Sequence, residues 1–147
     1  MGERRGVLIF YLDDRPFGIP AELVEHVYPA VLPLVIPQAP DAIPGIVELL
    51  GLAMPLVDMR RKCGFAPRTM RVNDRLIHVR HKGRNLALLV DRVEGVEELD
   101  GSEVLDPREL IPGIEAVQGI LRDGGELGLL CSLERFFAAE FSFEPAG

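Results

Sequence analysis

Short apolar runs recur along the chain and are separated by Gly, Pro, Asp and Asn, the pattern of many short strands joined by turns. The clearest are Val7 to Leu12, Phe17 to Ile19, Val31 to Ile36, Ile46 to Leu50, Met54 to Val57, Leu76 to Val79, Leu86 to Val90 and Leu127 to Cys131. Several are apolar at both alternating sets of positions. In Leu86-Ala87-Leu88-Leu89-Val90 each face of the strand is apolar, so the strand is predicted between two packed layers, as a barrel or a pair of barrels supplies. The fold class is mainly β.

Helical signals are few. Pro20 ahead of Ala21-Glu22-Leu23-Val24-Glu25-His26-Val27 predicts a short helix over 21–27, with the proline where its missing N–H is harmless and Leu23, Val24 and Val27 on one side. A second, C-terminal helix is predicted after Ser132, whose hydroxyl suits a cap. Glu134 favours the positive end of the dipole, and Leu133, Phe136 and Phe137 form an inward stripe. Val93 and Val96 lie three apart in an otherwise extended stretch, and a bulge at Gly95 would bring both to one face. Gly124-Gly125 sits between apolar segments as a hairpin turn does.

The 147 residues suffice for one domain, 1–147, with its own core, and the 12 prolines, many at run boundaries, argue against a helical bundle. A net charge of −7 disfavours a general nucleic-acid or anionic-membrane binder. The basic cluster Arg60, Arg61 and Lys62 reads as a solvated face. The two cysteines, Cys63 and Cys131, lack CxxC spacing, which points to a reduced, cytoplasmic protein without a zinc or dithiol site. No apolar stretch approaches the roughly 20 residues of a membrane span.

Catalytic chemistry does not assemble. Phosphate-binding glycine loops are missing, and His78 and His81 point to opposite faces of a strand and cannot share a metal. Asp13-Asp14 and Glu97-Glu98 likewise diverge and read as turn and surface residues. Cys131 belongs to a core strand, whereas Cys63 beside Arg61 and Lys62 would have a lowered pKa if exposed. Neither a catalytic residue, a cofactor nor a metal is expected.

The segment Ile43-Pro44-Gly45-Ile46-Val47-Glu48-Leu49-Leu50-Gly51-Leu52-Ala53-Met54-Pro55-Leu56-Val57-Asp58-Met59-Arg60 resembles the signature of CheW-like domains, I-x-G-[VI]-x-N-L-R-G-x-x-x-P-[VI]-[VI]-D-L-R. Phe17-Gly18-Ile19, Leu89-Val90-Asp91-Arg92-Val93 and the stretch Leu129 to Phe137 are similar to further family elements, so the likeness runs over about residues 6 to 138. It implies two small five-stranded barrels sharing a core. Glycines 45 and 51 would allow close backbone approach or positive φ, and Asp58 would cap the turn carrying Arg60 and Arg61.

The resemblance further implies a non-catalytic adaptor in chemotaxis signalling, with one barrel against the regulatory domain of a CheA-type histidine kinase and an inter-barrel groove taking the helical tip of a chemoreceptor. By position, Val24, Val27, Gly45, Ala87, Val93 and Val96 match the groove set, whose small apolar character suits a helix in a groove. His26 stands where many relatives carry Glu. The family's N-L-R-G reads Glu48-Leu49-Leu50-Gly51, which makes Leu50 a candidate kinase-interface or specificity residue. The departure leaves open an auxiliary adaptor of another two-component or motility system, without receptor binding, and the inter-barrel groove leaves open a small-molecule sensor.

Overall fold

The computed structural model describes residues 5–99, 104–112, 117–123 and 126–141. Its elements in chain order are β1 (Arg5–Leu12), β2 (Arg15–Pro20), β3 (Val24–Pro29), β4 (Leu34–Val35), β5 (Gly45–Leu49), β6 (Leu52–Asp58), α1 (Met59–Lys62), β7 (Arg75–His81), β8 (Arg84–Val90), β9 (Arg92–Leu99), β10 (Val104–Leu105), β11 (Val117–Asp123), β12 (Glu126–Cys131) and α2 (Leu133–Phe136). The strands form two six-stranded sheets, ordered β10-β11-β12-β2-β1-β9 and β3-β7-β8-β6-β5-β4. Pairing is antiparallel except for β12 with β2 and β6 with β8.

Both faces of β1 are apolar because each meets a different core. Leu8, Phe10 and Leu12 point into a central cluster with Ile77, Val79, Leu86, Leu88 and Val90 of the second sheet. Val7, Ile9 and Tyr11 point the other way, onto Leu99, Leu121 and Leu130 of their own sheet. The second sheet does the same, with Val47, Leu49, Met54, Leu56, Leu76 and Ala87 packed on its far side. Each sheet therefore wraps its own cluster while sharing the middle one, which is the expected shared-core arrangement. The strands number six per sheet rather than five. Neither sheet closes into a barrel, since β9 and β10 end one and β3 and β4 end the other.

The expected helix over 21–27 is corrected. Only Ala21–Leu23 makes a single 3-10 turn, and Val24 onward is strand β3, paired with β7. Val24 opposes Val79 and His26 opposes His78, which leaves Glu25 as an extra, bulged residue. That bulge turns Val24 and Val27 to one face, producing the three-residue spacing of a helix in an extended chain. The same device occurs in β9: Gly95 opposes Ile9 and Val93 opposes Phe10, so Glu94 is the extra residue and Gly95 takes φ +135°. Val93 and Val96 thus share a face, as the expected bulge requires, though its extra residue is Glu94 and not Gly95.

At the C-terminal end, α2 is one turn long, with Leu133 and Phe137 buried and Phe136 partly so. The Ser132 hydroxyl makes no cap hydrogen bond; the turn is closed by backbone bonds such as Phe136 N–H to the Ser132 carbonyl. Strands β11 and β12 pair Asp123 opposite Glu126. The intervening Gly124-Gly125 turn lies outside the described residues. Of the run Val31 to Ile36 only Leu34–Val35 is strand, and its side chains are exposed.

The basic cluster is also corrected, because its members have separate roles. Asp58 caps α1 by accepting the backbone N–H groups of Arg60 and Arg61, which turns Arg60 inward and leaves Arg61 exposed. Buried Arg60 donates to Asp13 and Asp91, each at 2.7 Å, and to the Ala66 carbonyl at 2.9 Å. Arg68 joins Asp91 at 2.6 Å to Asp74 at 2.9 Å. This chain of charges ties the β1–β2 turn, α1, the 66–74 loop and the β8–β9 junction together. The Arg60 hydrogen bond holds the Asp13 carboxyl below its ordinary value. Burial alone would raise Asp74, but bonds from Arg68 and the Arg71 N–H outweigh it and the group is lowered. Lys62 pairs with Glu140 at 2.6 Å.

Candidate functional site

Four of the six groove candidates come to the edges of the two sheets. Val24 and Val27 lie on β3, the last strand of the second sheet, and Val93 and Val96 on β9, the last strand of the first. Val24, Val27 and Val93 are half-buried against the central cluster, so they line the margin where that cluster reaches the surface. Val96 is 60% exposed and offers apolar area that nothing among the described residues covers. A Cβ added at Gly6 on β1 would lie 3.6 Å from Val96 and 3.4 Å from Ala21, so this margin runs on toward the 3-10 turn at 21–23. Exposed Glu22, Glu25 and Glu94 flank it. His26, also exposed, packs its ring 4.6 Å from that of Tyr28.

The other two candidates lie elsewhere. Ala87 has no exposed surface and belongs to the cluster on the far side of the second sheet, opposite His78 and Leu56, so it offers a partner nothing to touch. Gly45 is buried where β4 crosses close to β5, and a Cβ there would stand 2.0 Å from the Leu34 carbonyl oxygen. Its role is the close backbone approach expected of it.

Leu50 occupies the tip of the β5–β6 hairpin. Leu49 and Leu52 are paired, and the two residues between them, Leu50 at φ +50° and Gly51 at φ +82°, both take positive φ as a type I′ turn requires. Leucine is poorly suited to that conformation and the residue is 87% exposed, so a local strain of about 1 kcal/mol sits on a residue that buries little. Leu50 is not alone. Ile46 and Glu48, at alternate positions on β5, face outward with it, and Ile46 is paired with exposed Leu34 on β4. Leu52 on β6 is also exposed, but it pairs with buried Leu49 and so lies on the opposite face of the hairpin. The pattern is legible in part, since β5 alternates along Gly45–Leu49, but the exposure of Leu34 and Val35 is not, because an apolar run reads as core.

The groups considered for catalysis are engaged in structure. His78 is buried and bonded to Asn85 at 2.7 Å, while His81 meets Glu134 at 2.6 Å on a different face. Cys63 is not an activated thiol: burial pushes it up to about 12, overriding the smaller effect of Lys62. Cys131 is fully buried and raised further for the same reason. Among the described residues no group of three His, Cys, Asp or Glu is placed to hold a metal, and no helix is long and apolar enough to cross a membrane.

Comparison with known proteins agrees with this architecture. A search of curated proteins gives no match. Among solved structures, the scaffolding protein TtCheW from Thermoanaerobacter tengcongensis superposes with a TM-score of 0.80 at 24% identity, covering 98% of each chain. That likeness shows the fold. The family model for the CheW-like domain matches residues 6–141, nearly the whole of the two-sheet body. The chain therefore belongs to the CheW-like domain family, whose members serve as scaffolds and adaptors.

Proposed function

We propose that the protein is a non-catalytic cytoplasmic adaptor that couples chemoreceptors to a CheA-type histidine kinase. The observation that carries this reading is the presence of two separate exposed apolar surfaces, set at opposite ends of the second sheet's strand order. One is the valine margin of β3 and β9, which suits an amphipathic helix laid across small apolar side chains, with flanking acidic residues to set its register. A chemoreceptor tip supplies such a helix. The other is the exposed apolar area of Leu34, Ile46 and the hairpin tip Leu50, and it is assigned to the kinase regulatory domain. A bridging protein needs two such surfaces that do not overlap.

Co-sedimentation with the cognate kinase regulatory domain and a receptor-tip fragment, singly and together, tests the reading. Both should bind at once. Failure to bind either removes the proposal, and binding of the kinase alone would favour an auxiliary adaptor, which the leucine at position 50 already makes the second reading.

A further inference from the structure

A cavity of about 700 Å³ lies between the start of β1, the 3-10 turn at 21–23, the start of β11 and the β12–α2 junction. Its volume is in the range of small-molecule sites, roughly 300–1,000 Å³. The cavity's polar side chains are its distinguishing feature. Arg5 and Arg135 both line it, and neither guanidinium has a carboxylate partner among the described residues. Other exposed arginines, Arg15 and Arg122 among them, also have no carboxylate partner among the described residues, but only Arg5 and Arg135 line this cavity.

Two carboxylates share the wall. Glu134 is already spoken for, with His81 and Lys82 each at 2.6 Å, and the Lys82 and His81 bonds hold it below its ordinary value. Glu22 remains, exposed on the 3-10 turn. Neutral donors complete the lining: the Ser132 hydroxyl, which makes no cap bond, and the Gln118 amide. A guanidinium presents paired N–H donors that match carboxylate and phosphate oxygens, and two lining one concavity, with no carboxylate partner among the described residues, suit that geometry.

We propose that this cavity is a binding site for a small molecule bearing a carboxylate or phosphate group, with Arg5 and Arg135 as its anion contacts. The site adjoins the valine margin, sharing Gly6, Ala21 and Glu22 with it, and the turn at 21–23 that forms one wall leads directly into Val24 of β3. Occupancy is thereby placed next to the valine margin.

Isothermal titration of the full chain with inorganic phosphate and, separately, with citrate in a chloride buffer of fixed ionic strength tests the proposal. One probe should bind saturably with a stoichiometry of one, phosphate identifying a phosphoryl ligand and citrate a polycarboxylate. The Arg5→Gln, Arg135→Gln double variant should weaken that binding at least tenfold at an unchanged melting temperature, since both side chains are exposed. Arg15→Gln, Arg122→Gln removes the same charge from exposed positions outside the cavity and should leave the affinity unaltered. Binding of neither probe above chloride, or equal weakening by both double variants, would overturn it.

Discussion

At the scale of single residues, Leu50 and Val96 carry the clearest expectations, because each exposes apolar surface that folding does not use. Arginine tolerates φ +50° no better than leucine, so Leu50→Arg should alter stability by less than about 0.5 kcal/mol. Binding should respond in opposite directions for different kinases. A regulatory domain adapted to leucine should lose about tenfold in affinity, roughly 1.4 kcal/mol, whereas one from a system whose adaptor carries arginine should gain. Titration of both domains with wild type and variant checks this, and equal affinities throughout would place position 50 outside the interface. Val96→Asp should leave the melting temperature within a degree or two while weakening receptor-fragment binding by a few kcal/mol, as a charge in an apolar contact does. Val93 is no substitute for that experiment: it is packed on the central cluster, and aspartate there should unfold the protein. A Val96 variant that binds as tightly as wild type would remove the valine margin from the site.

At the scale of elements, α1 separates neighbours that look alike in sequence. Arg60→Leu strips Asp13 and Asp91 of a buried partner and should cost about 3 kcal/mol, roughly 6–12 °C in Tm, whereas exposed Arg61→Leu should fall within about 0.5 kcal/mol. Thermal melts of the two variants decide it, and similar losses would mean that the charge network contributes nothing. Those arginines show where sequence reasoning stops. Their inequality depends on Asp13, Asp74 and Asp91, which are distant in the chain and converge only in the fold. Strands buried on both faces, such as β1 and β8, are legible because a short run that is apolar at every position must be covered on both sides. Strand β3 is not. Its Glu25 bulge gives Val24 and Val27 a helical spacing, and no glycine marks it, whereas Gly95 marks the equivalent bulge in β9. The candidate site is legible by resemblance at Val24, Val27, Val93 and Val96. Ala87 and Gly45 carry the same small apolar character for a different reason, close packing inside the second sheet.

At the scale of the molecule, the lowered carboxyls set the response to acid. Asp13 and Asp74 have folded-state pKa values below their unfolded ones, near 3.9, so the folded protein binds fewer protons and their stabilisation is complete above that value. It is lost as pH falls through the folded values. Urea unfolding should therefore give a plateau from about pH 5 to 7 and a decline below about pH 4, with a shallower decline in Asp74→Asn. An identical acid slope in that variant would show that Asp74 is not a contributor. The order of the strands has a further consequence, for synthesis on the ribosome. The second sheet is drawn from one continuous stretch, β3 to β8, and can pair as it emerges. The first cannot, because β1 waits for β9 and β2 waits for β12, the partnership of Phe17 with Leu129 being among the last made. Through most of translation the N-terminal hairpin therefore holds Val7, Ile9 and Leu8 without their neighbours, and a chain stalled after Val90 presents an open, apolar edge. Such a product is a client for chaperones and proteases, not a smaller adaptor.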